Sequence, residues 1–150
     1  MERNRFIKSG KSFYILMGLI LFQGISGIFG GGALILDSSG AILQMPLSML
    51  RGSPFETFLV PGVILFFVLG IFPLIVFSGL WKRKSWAWTG ALLVSIALII
   101  WISVEIALVG YHSEPPLQLM YGLVGVALLL LTLMSSVQHR LRSDAFRAKK

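Results

Sequence analysis

The sequence predicts an all-α membrane protein, a bundle of four transmembrane helices joined by short connections. Only 13% of the 150 residues are charged and 56% are hydrophobic, whereas soluble chains carry about 25% charged residues. Several apolar runs exceed the roughly 18 residues that a helix needs to cross a bilayer. All of the lysines and arginines lie outside these runs. A chain of this length and composition forms a single membrane domain.

The first span is predicted over residues 12–36, after a short basic segment. A basic start followed by apolar and small residues is also typical of a cleaved signal peptide, but here the apolar residues continue too far for that interpretation. Gly24, Gly27 and Gly31 lie near one face of this helix, and the last two form a GxxxG pair. Because glycine lets a second helix backbone approach closely, these residues predict a helix-packing groove, with a functional hinge as the alternative.

Residues 37–52 form the first outer connection. Turn-forming residues open it, and Pro46 interrupts an apolar stretch that is too short to span a membrane. We predict a short interfacial helix from about Pro46 to Arg51, ended by Gly52. Since irregular backbone at a membrane surface must lie against protein or at the interface, this connection should cover the outer mouth of the bundle as a lid.

The second span is predicted over residues 55–81. Ser53, the proline after it and Glu56 form a helix-start pattern, with a capping serine, a proline at the first helical position and the glutamate of a capping box. Pro61 and Pro73 lie inside the span and predict two kinks. A broken helix at a binding site, as found in transporters, is the alternative interpretation.

The third and fourth spans are predicted over residues 86–110 and 117–138, followed by a basic tail at residues 139–150. Of the 13 Lys and Arg residues, only Arg51 lies outside the N-terminus, residues 82–84 and this tail. The positive-inside rule therefore predicts a multi-pass protein of the plasma membrane, a bacterial inner membrane, with both termini in the cytoplasm. Basic residues in these positions contact anionic lipid, so the net charge of +7 does not indicate a nucleic-acid partner.

Several short motifs resemble those of a family of small, uncharacterised four-span bacterial integral membrane proteins. The resemblance covers most of the chain and implies the fold and the topology, without implying an activity. Its motifs are Asp37-x-x-Gly40, Met45-Pro46-Leu47, Ser53-Pro54-Phe55, Pro61-Gly62, residues 101–105, and Leu117-Gln118 with Tyr121.

Glu56 stands at the first turn of the second span, whereas Glu105 lies deeper inside the third, where an ionisable group is costly and indicates a functional site. Because neighbouring spans run in opposite directions, Gln118 and Tyr121 should lie at the depth of Glu105. Arg51 and His112 belong to the connections above them. The sequence thus predicts a polar cavity open to the outer side, with Arg51 as the countercharge. The alternative is that Glu105 is hydrogen-bonded or protonated and serves helix packing.

Metal and cofactor chemistry have little support in the sequence. There is no cysteine, which excludes disulfides and thiolate metal sites. A metal site formed by Glu105, His112 and Glu114 is a weak alternative, because only the histidine is a preferred zinc ligand. Phosphate-binding loops and nucleophile motifs of soluble enzymes are missing. We therefore predict no metal and no cofactor.

Three functions remain open at this point. The glycine-rich first span favours a protein that acts through helix packing, as an accessory or assembly subunit or a lipid-binding module. Its partners would be the lipid bilayer and a membrane protein or a second copy of the chain. The alternative is a proton- or cation-coupled transporter of small solutes that uses Glu105, although small multidrug transporters carry their essential acid in the first span. A membrane enzyme acting on lipid is a weaker alternative.

Overall fold

The computed structural model describes residues 2–111, 116–135 and 137–138, and four long helices make up most of this part of the chain. The first three helices are each long and apolar enough to cross a membrane, and no β-strand occurs in the described part of the chain. The predicted all-helical architecture is therefore confirmed, with three membrane-length helices. The helices are α1 (Glu2–Leu36), α2 (Leu59–Trp81), α3 (Trp86–Val109) and α4 (Leu117–Leu133).

The fourth helix is shorter than the span predicted over residues 117–138. It ends at Leu133 because Met134 adopts extended backbone angles, φ −61° and ψ 127°. The Thr132 hydroxyl donates to the Leu128 carbonyl oxygen at 2.7 Å, a side-chain bond that competes with helix geometry in the last turn. With 17 residues, α4 is about 25 Å long against a hydrocarbon core of about 30 Å, so a fourth crossing stays a prediction.

Glycines set the distance between α1 and α2. An added Cβ atom at Gly27 would collide with the Leu69 carbonyl group, and one at Gly31 would lie 2.7 Å from the Gly62 carbonyl oxygen. At Gly24 it would lie 2.6 Å from a leucine side chain of α2. The glycine face that was predicted to be a packing groove therefore packs against α2 of the same chain.

A π-helical turn interrupts α2. Pro73 has no N–H to donate to the carbonyl group of Leu69, four residues earlier, and a π turn is one way in which a helix accommodates such an interruption. Two kinks were expected in this helix, but Pro61 lies in its first turn, where a missing donor costs nothing. The segments of α2 are an α-helix Leu59–Phe66, the π turn Phe67–Ile71 and an α-helix Phe72–Trp81.

The second helix begins at Leu59, later than the capping pattern predicts. Ser53 Oγ accepts a hydrogen bond from the Phe55 N–H at 3.2 Å, so the pattern forms a local turn and not a helix start. The Phe58 N–H donates to the Ser38 carbonyl oxygen at 2.9 Å, and the Phe58 side chain is buried. This long-range contact holds the chain outside the helix until Leu59.

The small-residue face of α3 forms the centre of the bundle. Ala87, Ala91, Val94 and Leu98 alternate in spacing between four and three residues, as expected for one helix face, and all are buried. In the first turn of α3, the Trp88 indole donates to the Thr132 carbonyl oxygen of α4 at 2.9 Å. Because lipid tails are as apolar as this core, van der Waals packing must supply most of the association. Further core residues are Phe13, Leu16, Ile20, Leu69, Val76, Leu80, Ile102 and Leu128.

The connection between α1 and α2 folds back onto the helices. Gly40 makes this possible, because its φ of 81° is left-handed and an added Cβ would lie 2.9 Å from the Phe58 ring. Leu50 and Phe58 are buried together with Leu34 of α1. A 3₁₀ turn, Leu47–Leu50, occupies the place of the predicted interfacial helix. Its depth in a bilayer stays a prediction.

Asp37 fixes the start of this connection. Its Oδ1 atom accepts hydrogen bonds from the Ser39 hydroxyl at 2.6 Å and the Ser39 N–H at 3.0 Å, and Oδ2 accepts from the Ile42 N–H at 3.2 Å. These bonds, the Ser39 hydroxyl foremost, lower the pKa of Asp37 below its ordinary value of 3.8. The stabilisation is present above the unfolded-state pKa and is lost as the pH falls through the folded-state pKa.

Candidate functional site

A cavity of about 770 Å³ lies between the helices and the connection of residues 37–58. It forms because α2 and α3 diverge. α3 packs against the Phe72–Trp81 segment of α2 and contacts its π turn, whereas the Leu59–Phe66 segment stands away from α3. The volume is within the roughly 300–1,000 Å³ that small-molecule sites occupy.

The walls of the cavity are mainly aliphatic and aromatic. Ile64 and Val68 of α2 face Ile100 and Val104 of α3 across the gap, and all four side chains are exposed while they line the cavity. The cavity therefore opens sideways between the two helices. The two helices on either side of this opening are each long and apolar enough to cross a membrane.

Glu105 and Gln118 meet inside this cavity. Gln118 is 5% exposed, and its Nε2 atom donates to Glu105 Oε1 at 3.1 Å and to the Gly110 carbonyl oxygen at 3.0 Å. Gln118, in the first turn of α4, thus links the Glu105 side chain on α3 to the backbone at the end of α3. Both hydrogens of the Gln118 amide nitrogen are therefore used, so its donor capacity is satisfied within the protein.

Tyr121 lies in the same cavity and aligns α4 with α1. Its ring stacks on Phe22 with centroids 6.1 Å apart and planes at 15°. Gln118 lies one helical turn from Tyr121 towards the start of α4, whereas Gln23 is next to Phe22. Gln23 consequently lies about two residues, about 3 Å, farther from the loop-covered end than Gln118.

Arg51 does not take the position expected for a countercharge. It follows the Leu47–Leu50 turn with an extended backbone, its side chain is exposed, and it does not line the cavity. His112, Glu114 and the tail at residues 139–150 lie outside the described residues. Within those residues, no group of three His, Cys, Asp or Glu side chains is placed to hold a metal ion.

The connection between α1 and α2 covers the cavity, as the lid interpretation predicts. Five of its apolar side chains line the same space as Glu105, and the Leu47–Leu50 turn lies against α3. The contact is therefore apolar, in place of the ion pair that the sequence suggested. The five side chains are Leu43, Met45, Leu50, Phe55 and Phe58.

Gln23 is a site residue that the sequence-based hypothesis leaves out. It is 1% exposed and lines the cavity. Its Nε2 atom donates to the Leu69 carbonyl oxygen at 3.3 Å, a group to which Pro73, four residues later, cannot donate. Its Oε1 atom is buried and has no hydrogen-bond partner among the described residues. An unsatisfied buried acceptor costs about 1–3 kcal/mol. A glutamine in the middle of an apolar span was the signal available in the sequence.

The chain matches no protein family, no curated protein and no solved structure in the comparisons with known proteins. The function must therefore be argued from the cavity and its residues.

Proposed function

We propose that the protein is a lipid-binding module that holds a single apolar chain from the membrane in the cavity between α2 and α3. The observation that carries this proposal is the cavity itself, with its volume of about 770 Å³ and its predominantly apolar lining. Pockets of this kind bury most of the surface of a small ligand and orient it through a few polar groups. Glu105, Gln118, Tyr121 and Gln23 are the polar groups available here.

The lipid-binding form of the predicted function has better support than assembly through the glycine face. Gly27 and Gly31 of α1 are already in contact with α2, so this face is not available to a partner. The lateral opening of the cavity, by contrast, would give a membrane lipid direct access. A role as an accessory subunit is compatible with lipid binding and would use other surfaces.

We further propose a plasma-membrane location with four spans and both termini in the cytoplasm. The distribution of lysine and arginine supports this topology, because Arg51 is the exception among 13 such residues. The cavity, Glu105 and the connection of residues 37–58 would then belong to the outer leaflet.

Ala97→Phe is expected to abolish binding of an apolar chain. Ala97 lines the cavity on α3, and a phenyl ring there occupies the space that the ligand needs. We expect the bound fraction of hexadecyl methyl ether to fall at least about tenfold, which corresponds to about 1.4 kcal/mol. Native mass spectrometry of the protein released from micelles measures this fraction directly.

Ala107→Phe is the matched control for that experiment. Ala107 lies on the same helix and is exposed, but it does not line the cavity. It should retain the ligand as the unmodified protein does. Equal binding by both variants would contradict the proposed site, and so would an unmodified protein that binds no ligand.

Proton-coupled transport is the second candidate, because the Glu105 carboxylate lies in the cavity with a hydrogen-bond donor at 3.1 Å. If Glu105 carries the coupling proton, Glu105→Gln removes proton flux into proteoliposomes that enclose a pH-sensitive dye. Glu56→Gln, the same change at an exposed residue outside the cavity, leaves the flux unchanged. Equal flux in both variants would eliminate this candidate.

A further inference from the structure

The acceptor of Gln23 is held in a defined orientation. Because the Leu69 carbonyl accepts only a donor, Nε2 must be the amide atom that faces it, and Oε1 is left on the other side. A carbonyl oxygen has two lone pairs, so Leu69 can accept from Gln23 whether or not a helical N–H also donates to it; Pro73, four residues later, cannot be that donor. Gly27 permits the close approach, since any Cβ there would collide with the Leu69 carbonyl. The backbone of α2 thus positions an unsatisfied acceptor in a residue that lines the cavity.

We propose that the cavity selects a long-chain alcohol, an apolar molecule whose uncharged hydroxyl donates a hydrogen bond to Gln23 Oε1 while its chain lies between α2 and α3. This inference rests on the proposed function and specifies its ligand. The hydroxyl supplies the donor that the described residues do not provide, and the aliphatic walls accommodate the chain.

The depth of Gln23 restricts the chemistry of the donor. Gln23 lies at the centre of the 27-residue apolar segment Gly10–Leu36. A cationic donor at that depth is costly to desolvate, and the headgroup of a phospholipid belongs at the membrane surface. Esters, ethers and ketones only accept hydrogen bonds. A neutral hydroxyl on a single chain meets all of these restrictions.

The test compares hexadecanol with hexadecyl methyl ether, which has the same alkyl chain and an oxygen but no donor. Native mass spectrometry with both probes present gives their relative affinities. One neutral hydrogen bond corresponds to a preference of roughly five- to tenfold for the alcohol. We expect this preference in the unmodified protein, and equal binding of the two probes would overturn the inference.

Gln23→Leu is expected to remove the preference, but alone it would also remove a hydrogen bond from the Leu69 carbonyl. The comparison is therefore made in a Pro73→Ala background, in which residue 73 has an N–H that can bond to Leu69. Pro73→Ala alone should prefer the alcohol, and Pro73→Ala with Gln23→Leu should bind both probes equally. A preference retained in the double variant would contradict the assignment of Gln23.

The two proposals fail in distinguishable ways. If the unmodified protein binds neither probe, the proposed lipid-binding function is wrong. If it binds both probes equally and Ala97→Phe removes both, the cavity binds apolar chains and only the selection by Gln23 is wrong.

Discussion

We expect Gly27→Ala to destabilise the folded protein by about 3 kcal/mol, through overpacking at the contact between α1 and α2. The added methyl group would collide with the Leu69 carbonyl and would also lie 2.7 Å from the Gly70 nitrogen. Both are backbone groups, so the helices must separate and no side chain can relieve the collision by rotating. Reversible unfolding in mixed micelles, followed by circular dichroism, measures the change.

Gly18→Ala provides the control on the same helix. Nothing lies within 4 Å of a Cβ atom at Gly18, so this variant should keep or slightly raise stability, by up to about 1 kcal/mol, because alanine favours the helix. A similar loss of stability in both variants would mean that a general effect of the micelle dominates. It would also contradict the close backbone contact at Gly27.

Gln118→Met is expected to destabilise the protein by about 2–3 kcal/mol. Methionine has a similar length but no donor, so the Glu105 carboxylate and the Gly110 carbonyl each lose a hydrogen bond. Each acceptor left without its donor in a buried site contributes about 1–3 kcal/mol to this cost. The same unfolding measurement applies. Leu119→Met, at an exposed position next in sequence, should change stability by less than about 0.5 kcal/mol.

A double-mutant cycle separates the Glu105–Gln118 pair from other effects of the substitution. If the two side chains interact as the 3.1 Å distance indicates, Gln118→Met combined with Glu105→Met costs less than the sum of the single variants. We expect a coupling of about 1 kcal/mol. Strict additivity would show that the hydrogen bond contributes nothing to stability.

Helix identity could be predicted because it depends on local composition. The apolar runs that form α1, α2 and α3 are long, Glu105 is the one charged residue in the interior of any of them, and hydropathy alone identifies them. The basic residues 82–84 likewise mark the turn between α2 and α3. The start of α2 could not be predicted in this way. The Ser53 capping pattern is a local signal, whereas the contact of Phe58 with Ser38 depends on the folded connection.

The polar pair of the candidate site could be predicted, but not its surroundings. Antiparallel spans of known length place Glu105 and Gln118 at one depth, and the structure joins them by a hydrogen bond. The role of Gln23 was not predictable, because it depends on which α2 carbonyl faces α1. Gly27 permits the close approach to Leu69, but the spacing of residues within one helix does not set the register between two helices.

Photocrosslinking tests the central claim, that the space between α2 and α3 holds an apolar chain, most directly. The probe is a hexadecyl chain that carries a diazirine, incorporated into vesicles with the protein, and peptide mass spectrometry locates the labelled residues. We predict that labelling concentrates on Ile64, Val68, Ala97 and Val104 and competes with unlabelled hexadecanol. Labelling spread equally over exposed residues outside the cavity, such as Leu93, and insensitive to the competitor would contradict the claim.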